Sequence, residues 1–97
     1  MKVFLSLPIT GKVEQARMEA EAAKRLLEEQ GYEVVSPFEC APDKDQTDGY
    51  YMGRCVEALL DCDMICQHPD WRFSRGCNVE DMTAKMYGIQ RLDWPQE

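Results

Sequence analysis

Two short apolar runs joined by one amphipathic helix constrain this chain more than any other feature. "KVFLSL" (residues 2–7) is apolar enough for a strand and stops at Pro8, which cannot extend a ladder. From Val13 to Gln30 the apolar positions Val13, Ala16, Ala20, Ala23 and Leu27 recur at threes and fours. Charged and amide side chains fill the other face, and Gly31 closes the run. "YEVVSPF" then supplies a second strand ended by Pro37, so the opening third is a β-α-β unit whose strands pair in parallel.

The rest repeats the alternation. Residues 39–49 read as a polar loop, and a helix is predicted from Tyr50 to Leu60, burying Met52, Val56, Leu59 and Leu60. "CDMICQ" reads as the third strand, residues 74–87 as a helix with Cys77, Ala84 and Tyr87 inward, and "IQRL" as a last strand. The expectation is one domain over residues 1–97: a three-layer α/β sandwich on a parallel four-stranded sheet of order 2-1-3-4. Ligands of such sheets sit beyond the strands' carboxyl ends, where the order reverses. Pro8–Gly11 and His68–Gly76 should face each other there.

Charge removes several classes of partner. With 18 acidic and 11 basic residues in 97, the net charge of −7 speaks against gripping a nucleic acid polymer. No apolar span of roughly 18 residues exists to cross a bilayer, and the run before Pro8 is too brief for a secretion signal, so a cytoplasmic protein is expected. Five cysteines, an odd number, then read as reduced thiols. Cys62 and Cys66 have a spacing seen in zinc sites, but both fall in a predicted strand and read as small buried side chains. Neither a metal nor a cofactor is expected.

The chemistry concentrates in two loops. In "SLPITG", Ser6, Thr10 and the amides of a helix start could meet an anion or sugar oxygens, or Thr10 could simply cap the helix. In "HPDWRFSRGCNVE", Trp71 and Phe73 could stack on a nucleobase, and Arg72 and Arg75 could neutralise a phosphate. Asp70 could exchange a proton with a departing base. The alternative makes Trp71 a lid over the core edge and pairs both arginines with nearby acids. His68, the only imidazole, reads as a polar crevice residue. Glu80 shares a helical stripe with Cys77 and Ala84, where a carboxylate is either solvent-exposed, paired, or placed to attack an anomeric carbon.

Together, "SLPITG", the "CD" that opens the third strand, and W-x2-S-x-G-C-x2-E-x3-A-x3-G from Trp71 to Gly88 resemble the nucleoside 2-deoxyribosyltransferase superfamily. The likeness is to its small single-domain branch, common in bacteria and phages. It implies a flavodoxin-like sheet, homo-oligomers, and a helix glutamate, here Glu80, that attacks C1′ of a deoxyribose. It also implies that Pro8, Ile9 and Thr10 line the substrate crevice, that Ser74 and Gly76 form the turn before the catalytic helix, and that Asp63 is the acid opening the third strand.

Departures from that pattern are equally specific. Aspartates that assist the reaction in the family are replaced by Cys55 and Ser74, Leu7 stands where a glycine is usual, and the C-terminal segment that completes a neighbour's site has no counterpart. Two functions therefore stand side by side: transfer or hydrolysis at the N-glycosidic bond of a nucleoside or nucleotide, and binding of such a ligand without turnover. A structural oligomer with a vestigial crevice is the third.

Overall fold

A computed structural model describes residues 1–41, 43 and 45–96. The sheet is parallel throughout, in the order β2-β1-β3-β4, with β1 at Lys2–Ser6, β2 at Glu33–Val35, β3 at Met64–Gln67 and β4 at Gln90–Asp93. Helices α1 (Val13–Glu29), α2 (Pro37–Cys40), α3 (Asp48–Leu60) and α4 (Arg75–Met86) complete a three-layer, flavodoxin-like α/β architecture. No helix among the described residues is long and apolar enough to cross a membrane.

The period-two alternation of β1 divides the core between the two faces. Val3, Leu5 and Leu7 pack on Ala16, Ala20, Ala23 and Leu27 of α1, while Phe4 packs with Cys55, Leu59, Ile65 and Ala84 on the side of α3 and α4. Three alanines bring α1 close to the sheet. Val13, predicted inward, is 46% exposed as the first residue of α1, and burial begins at Ala16. The exit of α1 is fixed by Gly31 at φ +94°, which lets its N–H reach Glu28 O and the Tyr32 N–H reach Leu27 O, satisfying carbonyls the helix leaves open.

Other boundaries shift from the sequence reading. The loop expected at 39–49 gives up its start to α2, a single turn opened by Pro37, and its end to α3, which begins two residues early because Thr47 Oγ1 accepts from the Tyr50 N–H at 3.1 Å. Pro42 and Lys44 of that loop lie outside the described residues, as does Glu97. Strand β3 starts at Met64 and β4 runs to Asp93. Leu60 and Tyr87 are exposed rather than inward, Leu60 as the last residue of α3 and Tyr87 as the C-cap of α4.

Candidate functional site

Among the described residues Glu80 is the one buried carboxylate. Helix α4 buries Cys77, Glu80 and Ala84 on one stripe, so the acid faces the sheet and keeps only 5% of its surface exposed. Directly across lies Ser6, the last residue of β1 and the polar break in an otherwise apolar central strand, fully buried. Ser6 Oγ donates to Glu80 Oε1 at 2.6 Å, the short length expected when the acceptor carries charge. Oε2 accepts no hydrogen bond from any described residue. Burial drives the carboxyl up to about 7, the Ser6 hydroxyl opposing and the nearby Cys40 adding to the rise. Such a group exchanges protons near neutrality and, once ionised, has one oxygen held and the other available.

Thiols rather than carboxylates surround it. Cys55 and Cys40 lie with their sulfurs 4.0 Å apart, and Glu80 is close enough to be felt at Cys55. The Cys40 contact and burial push the Cys55 thiol far up, so it stays neutral. Cys77 is likewise raised by burial, against hydrogen bonding from Ser74 and Ser6 and the charge of Lys12 at the start of α1. Next to Ser6 in the register is Gln67, 2% exposed, whose Nε2 donates to Asp81 Oδ1 at 2.8 Å while its Oε1 is buried without a partner. Burial favours a neutral Asp81, yet Lys85 and Gln67 together outweigh it and hold the carboxyl below its usual range.

The loop after β3 divides between the two faces of the sheet. His68 turns to the α1 side: its Nδ1 accepts from the Asp70 N–H at 3.0 Å, which leaves Nε2 to donate to Glu19 Oε2 at 2.8 Å. The ring meets Trp94 edge-on at 5.1 Å. Trp71 opens a 3-10 turn (Trp71–Phe73) and is buried, with its indole N–H unpartnered and the Arg72 guanidinium 4.9 Å from its ring. Arg72 and Arg75 are exposed and make no ion pair among the described residues, and Asp70 is exposed too. Ser74 caps α4, its Oγ accepting from the Cys77 N–H at 3.2 Å. Gly76 packs beneath Met52.

A family model described as "Domain of unknown function (DUF4406)" matches residues 1–92. The chain belongs to the DUF4406 family. Two solved structures share the fold of this DUF4406 chain, each with a TM-score of 0.70 over 96% of its length. One is the CMP N-glycosidase BcmB of Clostridium botulinum, at 22% identity and 70% coverage of that chain. The other is a 2-deoxyribosyltransferase from Bacillus psychrosaccharolyticus, at 19% identity and 71% coverage. The chain thus shares the fold of these two enzymes. No curated protein matches the sequence.

Of the residues singled out from the sequence, the DUF4406 fold gathers Glu80, Ser74 and Gly76 on α4 or its cap, with Trp71, Arg72 and Arg75 beside them. Pro8 is buried and Ile9 half-buried. Thr10 is exposed in a turn closed by Lys12 N–H to Ile9 O at 2.9 Å, where Gly11 takes φ +80° as a type II turn requires. Thr10 is therefore not the helix cap; Lys12 holds that place. Asp63 is not in this cluster. Its Oδ2 accepts from the Lys2 N–H at 2.8 Å at the amino end of the sheet, about 13 Å from the carboxyl end of β3 at roughly 3.3 Å per strand residue. His68 is also apart from Glu80, because Gln67 and His68 fall on opposite faces. Trp71 has little free ring, whereas Phe73 is 90% exposed.

Sequence reasoning named Ser6 as a contact for an anion or sugar oxygens but not as the partner of Glu80, and it did not single out Gln67, Lys12 or Cys40. A serine at an inward position of a central apolar strand was the available signal. Among the described residues no group of three or more His, Cys, Asp or Glu side chains could hold a metal.

Proposed function

We propose that this DUF4406 chain acts on the N-glycosidic bond of a nucleoside or nucleotide, with Glu80 as the attacking group. The observation that carries the reading is the state of that carboxylate: buried beside the carboxyl end of β1, one oxygen anchored by Ser6, the other unpartnered, and ionising near neutrality. The Ser6 hydroxyl aims the side chain, and Oε2 attacks C1′ to give a glycosyl ester as the base departs. Water or a second base then takes the sugar. The names of the two fold neighbours, an N-glycosidase and a deoxyribosyltransferase, support both outcomes.

Other roles follow from placement. Asp70, exposed beside Trp71, is the proposed proton donor to the leaving base, since His68 already donates to Glu19. The unpaired guanidinium groups of Arg72 and Arg75 suit a phosphate, which favours nucleotides over nucleosides. Pro8, Ile9 and Thr10 would form the opposite wall. A second copy of the chain is proposed to close the crevice; α4 turns Val79, Met82 and Met86 outward, exposed by 44%, 65% and 77%, which gives such an assembly an apolar face.

The test is incubation of the purified chain with ribo- and deoxyribonucleosides and their monophosphates, with and without a second base, followed by chromatography for free or exchanged base. Release that disappears in Glu80→Gln supports the proposal, and silence across the panel defeats it. One observation favours binding without turnover: Cys55 is a neutral thiol and Ser74 is engaged as a cap, so neither can relay a proton as an aspartate would. A thermal shift with nucleoside monophosphates, in the absence of turnover, would decide for that reading.

A further inference from the structure

We propose that Cys40 and Cys55 form a peroxide-sensitive dithiol that closes to an intrachain disulfide beside Glu80. The two sulfurs stand 4.0 Å apart, one at the end of α2 and the other on α3. A disulfide needs about 2 Å. Helix α2 is a single turn, so the approach asks only that this turn settle onto α3, toward which Arg54 Nε already draws it by donating to Cys40 O at 3.1 Å.

Accessibility divides the labour between the pair. Cys40 is half-buried and reachable, whereas Cys55 is buried behind it and positioned to resolve the first product. A Cys40 thiolate is favoured by the Cys55 S–H it would accept from, and also by Arg54, which sets it below an ordinary thiol. The remaining cysteines are buried and pushed the other way, Cys62 to about 11 and Cys66 to about 12, with Cys77 raised as well. In the reaction, Cys40 sulfur attacks a peroxide oxygen, the O–O bond breaks, and the leaving oxygen takes a proton to become water. Cys55 sulfur then displaces the hydroxyl of the Cys40 sulfenic acid as a second water. Two thiols lose two electrons, and one peroxide gains them.

The consequence for the crevice rests on the glycosidic reading: the cross-link draws in the wall next to Glu80, whose ionisation already responds to Cys40, and should slow turnover reversibly. The experiment titrates reduced protein with hydrogen peroxide, counts thiols after unfolding, and maps peptides without reductant. Two of the five thiols should disappear first, as an intrachain Cys40–Cys55 link that dithiothreitol reverses. The link should be lost in Cys40→Ser and kept in Cys62→Ser. Oxidation of Cys40 to sulfinic acid without a link, or a first link at any other pair or between chains, overturns the proposal, and mapping the unaltered protein reads this without any variant. A link that forms while base release continues unchanged overturns the regulatory part. Absence of base release by the reduced protein strikes the glycosidic reading alone.

Discussion

Replacing Glu80 by Gln separates the cost of burying this acid from its use. In the unfolded chain the carboxyl releases its proton near 4.5, whereas the folded chain holds it until about 7. Between those values the unfolded state binds fewer protons, so stability falls as pH rises and levels off above the folded value. At roughly 1.4 kcal/mol per pH unit the full loss is about 3 kcal/mol. The substituted amide keeps an acceptor for the Ser6 hydroxyl and cannot ionise. Any constant cost of that amide cancels when the two proteins are compared at two pH values. Urea unfolding at pH 5.5 and pH 8 stays clear of the isoelectric point near 4.6. Over that interval the variant should gain about 2 kcal/mol on the native protein. Base release by the native protein should rise over the same interval as the nucleophile ionises. A stability gap that is constant with pH, or that moves toward the native protein in alkali, would show that Glu80 is solvated or paired, and the argument from burial would fail.

Ser6→Ala removes the hydroxyl that favours the ionised form, so the alkaline rise in base release should move to higher pH, with about 1–3 kcal/mol lost in urea unfolding. An unmoved profile would show that Ser6 does not touch the working carboxylate. Asp63→Asn should leave turnover unchanged, because that side chain ties the amino end of β3 to Lys2; a large fall in kcat would contradict the placement. Glu19→Ala strands the buried His68 N–H and should cost about 1–3 kcal/mol in unfolding while leaving the pH profile of base release in place. Arg72→Ala should raise KM for a nucleoside monophosphate more than for the matching nucleoside, and equal changes for both would remove the phosphate role.

The framework was legible in the sequence wherever a period was long enough to average out single residues. Helix α1 has 17 residues and four buried apolar positions at threes and fours, and parallel pairing follows from the β-α-β alternation, whereas the order 2-1-3-4, expected as one of the common doubly wound orders, is the one the sheet adopts. Short elements escaped for the same reason: α2 is one turn, too brief for any period, and it carries Cys40 to the site. The helical stripe marked Glu80 but left exposure, pairing and catalysis open, and the family resemblance singled it out; its partner was not named, because a pattern within α4 says nothing about which β1 residue stands opposite. His68 and Asp63 show the converse error. Each is close in sequence to the crevice elements, yet strand alternation sends His68 to the other face, and the length of β3 puts Asp63 at the other end. Proximity along the chain therefore locates a loop, whereas only the pleat and the register decide which side chains of that loop meet. By that rule the candidate site is read from the residues that break the apolar alternation on one face: Ser6 on β1, Gln67 on β3 and Glu80 on α4, all on the side of α3 and α4.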